Sequence, residues 1–376
     1  MIDEKIKEFG YKRQTLIYDI PLDGFRIHRI RIPLNMVFAI SLGSQDFYEG
    51  TVIEILSGST VGYGEAETIQ QITGENPEVL YETVYGILSL MDGMKFQSVE
   101  EFSLFINSYC HGNSAAKSCV DIAVHDLIAK SYSIHITRLL GGSMEPRRTA
   151  LTIPIGSVTG NISLLEKYIK MGAKIIKVKV GKDLDTDIER INAIAEHLGR
   201  GIKFFADANQ GFNLSRAIKM ANVLEKNGAL FFEQPMPGND MFALRDLRTK
   251  SSLPVMLDES IFTPADVINA IRIGAADMVN VKLSKSGGIR NAIKALSIAQ
   301  AAGIEAMVGC MLESKLGIAA SLAVANSVGN VKYTDLDGYT YLSEQPFDGG
   351  VEFKDGMNYP INGSGLAVKM RNVTGK

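Results

Sequence analysis

From Arg148 onward the chain alternates regularly between a short apolar stretch and an amphipathic one. Apolar stretches begin near Ala150, Lys174, Ile202, Leu230, Val255, Asp277, Ile304 and Val331. Their spacing, roughly 21 to 28 residues, is the length of one strand plus one crossover helix. The segments between them, such as 188–197, 217–227, 264–273, 291–302 and 315–327, carry apolar residues at helical spacing. Eight such units in succession predict a (β/α)8 barrel. An open, doubly wound sheet is the competing architecture. It lacks support, because no glycine-rich phosphate-binding turn follows the first strand.

The pattern before the repeat is different. Residues 25–61 read as a β-meander, with apolar runs 26–32, 51–56 and 61–62 broken by Pro33, Gly43, Gly50 and Gly58. Residues 77–140 turn helical, and Gly141-Gly142 stops that run. The expected organisation is an α+β capping module over 1–145, with 1–24 as an extension, and a barrel over 146–343. A strand- and turn-like tail over 344–376, marked by Gly349, Gly350, Gly363 and Gly365, is expected to pack back on the first module. A length of 376 residues suits one large domain with a satellite.

Composition mainly excludes. A net charge of −3 gives no reason to expect nucleic acid or a membrane surface as partner. Three cysteines, Cys110, Cys119 and Cys310, form neither a CxxC pair nor an even framework, which fits a reducing compartment. Residues 1–8 are charged and lack an apolar leader core, and no apolar run approaches membrane-spanning length. The expectation is a cytoplasmic protein acting on a small molecule. A homo-oligomer is compatible with the sequence but not read from it.

In such a barrel, chemistry sits where the strands run into the following loops. Those positions are charged in six of the eight units: Lys177-Val178-Lys179, Asp207-Ala208-Asn209, Glu233-Gln234-Pro235, Asp258-Glu259-Ser260, Asn280-Val281-Lys282 and Asp335-Leu336-Asp337. Asp207, Glu233 and Asp258 come from three successive strands, so their carboxylates converge on one side of the mouth. Hard oxygen ligands of this kind suit Mg2+. Zinc is disfavoured because no histidine follows His197. Salt bridges from these acids to the nearby lysines are the alternative reading.

Lys179 and Lys282 lie on strands four apart in a ring of eight, hence on opposite sides of the mouth. Asp335 and Asp337 share one strand face across from the metal side and could clasp a cation. A carboxylate held by Mg2+ has an acidified α-hydrogen, which a neutral lysine could remove while the opposite lysine returns a proton. Lys177, on the same strand face as Lys179, together with the metal's charge, should push its neighbour's pKa down. Lys285 lies near Lys282 in sequence but not on one strand face with it.

These motifs, with Lys282-Leu-Ser-Lys-Ser-Gly-Gly288, resemble the enolase superfamily and, within it, the muconate lactonizing enzyme subgroup. A Lys or His base working with Mg2+ is the established pattern of that superfamily. The resemblance covers nearly the whole chain, with Gly62-Tyr-Gly-Glu65 similar to the cap loop over the site. Asp335-Leu336-Asp337 and Gly309-Cys-Met-Leu-Glu-Ser314 resemble the corresponding segments of dipeptide epimerases.

The resemblance implies acid/base roles for Lys179 and Lys282, with Lys177 as auxiliary cation, and Mg2+ on Asp207, Glu233 and Asp258. It implies substrate contacts from Asp335, Asp337, Asn209, Glu313 and Lys177. The implied reaction is inversion of the α-carbon of a dipeptide's C-terminal residue by two lysines. A cycloisomerase, an o-succinylbenzoate synthase, an N-acylamino acid racemase and, more remotely, a non-catalytic binding barrel are the alternatives. The segment 35–49 carries no Lys or Arg, but has Asp46, Glu49, Met36, Phe38, Phe47 and Tyr48. If it covers the distal side chain, the epimerised residue is expected to be apolar or cationic rather than Glu. Tyr339 and Tyr341 are candidate pocket walls.

Overall fold

The computed structural model describes residues 20–91 and 94–371, so the reading of residues 1–8 falls outside the described part. Three antiparallel strands, β1 (Gly24–Ile40), β2 (Gly43–Ser57) and β3 (Thr60–Glu67), pair in that order. The expected breaks at Pro33 and Gly50 are not breaks. Strand β1 runs through Pro33 with a register shift before Phe38, because an edge strand can spare the N–H that proline lacks. The segment 35–49 is therefore not a loop but the far end of a hairpin that projects from the sheet.

Helices Pro77–Met91, Val99–Ser108 and Ser114–Ser131 cover the sheet. The last is buried along almost its whole length. Gly62 and Gly64 let it approach β3 closely: a Cβ on Gly64 would stand 1.9 Å from the Cys119 carbonyl oxygen, and one on Gly62 2.3 Å from that of Ala123. Its Asp121 accepts the Ile289 N–H at 2.6 Å, which ties the cap to the barrel.

After a two-residue strand β4 (Arg147–Arg148), the repeat appears as β5 (Leu151–Ile153), β6 (Ile175–Lys179), β7 (Lys203–Asp207), β8 (Phe232–Glu233), β9 (Val255–Leu257), β10 (Met278–Val281), β11 (Glu305–Gly309) and β12 (Val331–Asp335). All the expected strand starts lie within two residues of these. The strands pair in strict sequence order, and pairing is parallel throughout. A doubly wound sheet would reverse its order, so that alternative falls. The Ala150 N–H donates to the Thr334 carbonyl at 2.9 Å and brings the ends of the sheet together.

Helices follow the strands, and Ser157, Asp183, Asn213, Asp240 and Thr263 cap five of them by accepting a first-turn N–H. Among the described residues no helix is long and apolar enough to cross a membrane. In the tail, β13 (Phe347–Gly349), β14 (Val351–Lys354), β15 (Met357–Pro360) and β16 (Val368–Met370) form small sheets, one of which includes β4. The tail also reaches the cap: the Leu366 N–H donates to Asp126 at 2.7 Å, and Phe347 packs edge-on against Tyr63.

Candidate active site

The site stands on an apolar floor set by the two-residue period of a strand. Ala150, Phe205, Phe231, Met256, Met278 and Met307 form a buried cluster inside the barrel. Phe205 and Phe231 stack at 4.4 Å between centroids. One step up the same strands, the inward residues become charged: Lys177 and Lys179 on β6, Asp207 on β7, Glu233 on the neighbouring strand's register, then Asp258. Cross-strand pairing puts Lys179 level with Asp207 and Asp207 level with Glu233.

One carboxylate oxygen from each of Asp207, Glu233 and Asp258 lies within 4.8 Å of the others. All three residues are fully buried. Lys177 Nζ sits 2.9 Å from Asp207, 3.0 Å from Glu233 and 2.6 Å from Asp335. Lys179 Nζ donates to Asp207 at 2.7 Å and to Asn209 Oδ1 at 2.9 Å. Lys282 Nζ donates to Asp258 Oδ2 at 2.7 Å, and Lys285 Nζ stands 2.5 Å from Asp258 Oδ1. Both readings of the acids therefore hold together: they cluster as metal ligands do, and they pair with lysines.

Glu233 Oε2 and Asp258 Oδ1 are nonetheless buried without a well-directed hydrogen bond. Charged, inward-facing and under-satisfied oxygens are what a hard divalent cation takes up, so this donor set fits Mg2+. Asn280 steadies Glu233 from beyond, donating Nδ2–H to Oε1 at 2.8 Å.

The charges set the titration of this cluster. Burial pushes the Asp207 and Asp258 carboxyls up, but the lysine ammoniums more than reverse it and hold both below the usual carboxylate range. Burial, with the Asp207 charge, pushes Glu233 up to about 8. Burial pulls the Lys177 and Lys282 ammoniums down, yet the surrounding carboxylates raise both well above an ordinary lysine. The side chains alone stabilise the ammonium form of Lys177 and Lys282, and a depression toward neutrality requires added positive charge on the carboxylates.

The Asp335–Asp337 pair also divides. Asp335 Oδ2 is taken by Lys177, while its Oδ1 is buried with no partner. Asp337 Oδ2 accepts the Thr152 N–H at 2.7 Å and the Tyr341 hydroxyl at 3.2 Å. Burial, with the Asp335 charge, pushes Asp337 up to about 7.

A cleft opens above these groups. Lys177, Lys179, Lys282, Asn209, Asp335 and Asp337 line its base. The tip of the β1–β2 hairpin supplies Phe38, Ile40, Leu42, Gly43, Ser44 and Gln45, and Ile69, Ile72, Met311, Leu312 and Tyr341 add further apolar wall.

Other expected residues go elsewhere. Tyr48 is fully buried in the core cluster that runs from the cap strands into the barrel, Phe47 lies under Arg31, and Glu49 pairs with Arg31 at 3.1 Å. Tyr339 is buried against Asn358, at 2.9 Å. Glu313 is not on the cleft wall; it lies at the seam between cap and barrel. A Cβ on Gly317 would stand 2.7 Å from both Glu313 Oε2 and Glu65 Oε1, so glycine there admits the two carboxylates side by side.

Three residues were passed over in the sequence. Lys285 reaches Asp258 from the short helix Leu283–Ser286, a route that strand-face reasoning discards. Glu259 accepts from Asn209 Nδ2 at 2.9 Å. Gln234 Oε1 accepts the Asp258 N–H at 2.8 Å and so fixes the loop that carries one acid of the triad. Each belongs to a motif already conspicuous for its charges, and that was the available signal.

Known proteins share this architecture. Residues 162–373 match the family described as enolase C-terminal domain-like, and residues 26–141 match the N-terminal domain of the mandelate racemase / muconate lactonizing enzyme family. The chain belongs to the mandelate racemase / muconate lactonizing enzyme family of enolase-type barrels.

Among its relatives, the L-Ala-D/L-Glu epimerase of Bacillus subtilis (strain 168) is 33% identical over 330 residues, 86% of this chain and 90% of that protein. The hydrophobic dipeptide epimerase of Enterococcus faecalis (strain ATCC 700802 / V583) is 32% identical over 326 residues, 86% and 92% of the two chains. The crystal structure of a dipeptide epimerase from Cytophaga hutchinsonii, complexed with Mg and D-Ala-L-Val, superposes with a TM-score of 0.91 at 30% identity, covering 96% of this chain and 97% of that one. Epimerases of this kind are isomerases.

Proposed function

We propose that the protein is a Mg2+-dependent dipeptide epimerase that inverts the α-carbon of the C-terminal residue. The observation that carries this is the content of one cleft: two buried lysines from opposite strands, a carboxylate triad between them, and a carboxylate oxygen of Asp335 with no partner. Asp207, Glu233 and Asp258 would hold Mg2+, which supplies the positive charge that acidifies the α-hydrogen of a carboxylate bound there. Lys179 and Lys282 face the α-carbon from its two sides, one removing the proton and the other delivering one to the opposite face. Lys177 and Lys285 hold the acids in place.

Asp335 and Asp337 receive the dipeptide's ammonium group. An N-acylated amino acid or a muconate has no such cation, and two carboxylates facing it would repel an anion. For the side chain, the proposal narrows to apolar residues. Asp46 and Glu49, which had suggested a cationic one, do not line the cleft, and among the described residues its cationic lining is confined to the three lysines of the base. Among the described residues, a glutamate side chain would find no cationic residue at the hairpin end. The hydrophobic dipeptide epimerase among the relatives accords with this choice.

The test is incubation with Mg2+ and a panel of L,L-dipeptides in D2O, following the C-terminal residue's α-proton by NMR. Exchange is expected on dipeptides with apolar C-terminal residues and not on those ending in Glu. Silence across the whole panel refutes the reading.

A further inference from the structure

The hairpin tip does more than wall the cleft. Its turn residue Ser41 lies between the end of β1 and the start of β2 and donates its hydroxyl to the backbone carbonyl of Asn209 at 2.7 Å. Asn209 is the residue that receives Lys179. Its Oδ1 accepts the lysine ammonium at 2.9 Å, its Nδ2 donates to Glu259 Oε1 at 2.9 Å, and its own N–H donates to Asp207 Oδ1 at 2.8 Å. Every polar group of this buried side chain and its peptide is therefore engaged.

The backbone adds a second observation. Asn209 and Gln210 adopt positive φ values of 39° and 70°, a region that side-chain-bearing residues rarely occupy. Such a turn persists only where its surroundings hold it. Glu259 fixes the amide rotamer from the barrel side, and Ser41 fixes the carbonyl from the cap side.

The hairpin's other hydrogen bonds run to different places. The Ile155 N–H donates to the Ala39 carbonyl, the Ser343 N–H to that of Pro33, and Asn35 Nδ2 to those of Thr340 and Leu342. Those bonds seat the β1 side of the hairpin, out to Ala39 beside the turn, on the first and last units of the barrel. Ser41 carries the contact across the cleft to the third strand, on the side of Lys179.

We infer that Ser41 is a positioning residue that, acting through Asn209, ties the hairpin tip walling the dipeptide cleft to the seating of the Lys179 ammonium. This rests on the epimerase reading above. It predicts an asymmetry, because Lys282 is held by Asp258 and has no link to the hairpin tip. Loss of the Ser41 hydroxyl should weaken proton transfer on the face served by Lys179 and spare the other.

The experiment compares the wild type, Ser41→Ala and Ser41→Thr with Mg2+ in D2O, starting from each of the two epimers of one accepted dipeptide. Lys179→Ala and Lys282→Ala first establish which epimer each lysine deprotonates. Ser41→Ala is expected to raise KM and to slow initial exchange about three- to tenfold for the Lys179 epimer relative to the other, the effect of one hydrogen bond. Mg2+ binding by calorimetry should be unchanged, and Ser41→Thr, which keeps the hydroxyl, should restore the wild-type ratio. Equal slowing from both epimers, an unchanged ratio, or no rescue by threonine overturns the inference while leaving the epimerase reading intact. Absence of exchange by the wild type would instead remove that reading, and the inference with it.

Discussion

Two clusters of buried acids in this molecule meet opposite fates. At the barrel mouth, Asp207, Glu233 and Asp258 lie among Lys177, Lys179, Lys282 and Lys285. At the seam between cap and barrel, Glu65, Glu67 and Glu313 are just as buried but are held by uncharged donors. Glu65 accepts the N–H groups of Ser314 and Gly317 and the Ser314 hydroxyl, Glu67 accepts from Gln45 and the Leu312 N–H, and Glu313 accepts the Met311 N–H.

Burial dominates at the seam, pushing Glu65 up to about 7 and Glu313 up to about 8, and Glu67 well above the usual range. At the mouth the ammoniums override burial for two of the three acids. Burial alone does not decide whether a carboxylate is kept ionised for a metal; the surrounding charges do.

Removing one acid should separate the two regions most sharply. Asp258→Asn leaves Lys282 and Lys285 buried without their carboxylate. In the metal-free protein this should cost about 3–5 kcal/mol, by the penalty for breaking a buried pair. Urea denaturation in the presence of a chelator measures it, and calorimetry should show loss of Mg2+ binding. Glu313→Gln at the seam should instead raise stability at neutral pH, because the carboxyl it replaces is held protonated in the fold and ionises on unfolding. Equal costs at both places would break the comparison.

A smaller effect belongs to the edge of the mouth. Asp337→Asn keeps an oxygen for the Thr152 N–H but removes charge from the substrate's ammonium. KM for an accepted dipeptide should rise about ten- to hundredfold, the effect of a hydrogen bond to a charged group, with Mg2+ affinity unchanged. Loss of Mg2+ binding instead would place Asp337 on the metal side.

The last contrast is a slope. The Glu65 and Glu313 carboxyls titrate near 7 and 8 in the folded protein, against about 4.5 when free. Between those values the folded state holds more protons than the unfolded one, so these groups make stability fall as pH rises from about 5 to 8. Glu313→Gln should flatten that decline, as read from Tm against pH. Asp207 and Asp258, lowered rather than raised, contribute the opposite slope at more acid pH: stability lost as pH falls through their folded values.

The barrel was highly legible in the sequence because its signal is periodic and local. Strand starts near Lys174, Ile202 and Val331 emerge from apolar runs alone, and a strand's two-residue period then aims Lys177 and Lys179 the same way. The hairpin was less legible. Pro33 and Gly50 read as punctuation, but pairing along the sheet edge carried both strands past them, and side-chain counts over 35–49 could not say which residues would face the cleft.

Sequence by itself therefore determined the order of the units, the level at which charges gather, and the residue types that meet there, since all three follow from chain-local periodicity. Only the tertiary structure decided how those charges are shared. Lys177 draws together acids from three strands, and Lys285 enters from a helix. Asp335 keeps one oxygen open while giving up the other, and Ser41 reaches Asn209 across 168 positions of chain. Such contacts depend on distances between segments far apart in sequence, and packing, not periodicity, sets those distances.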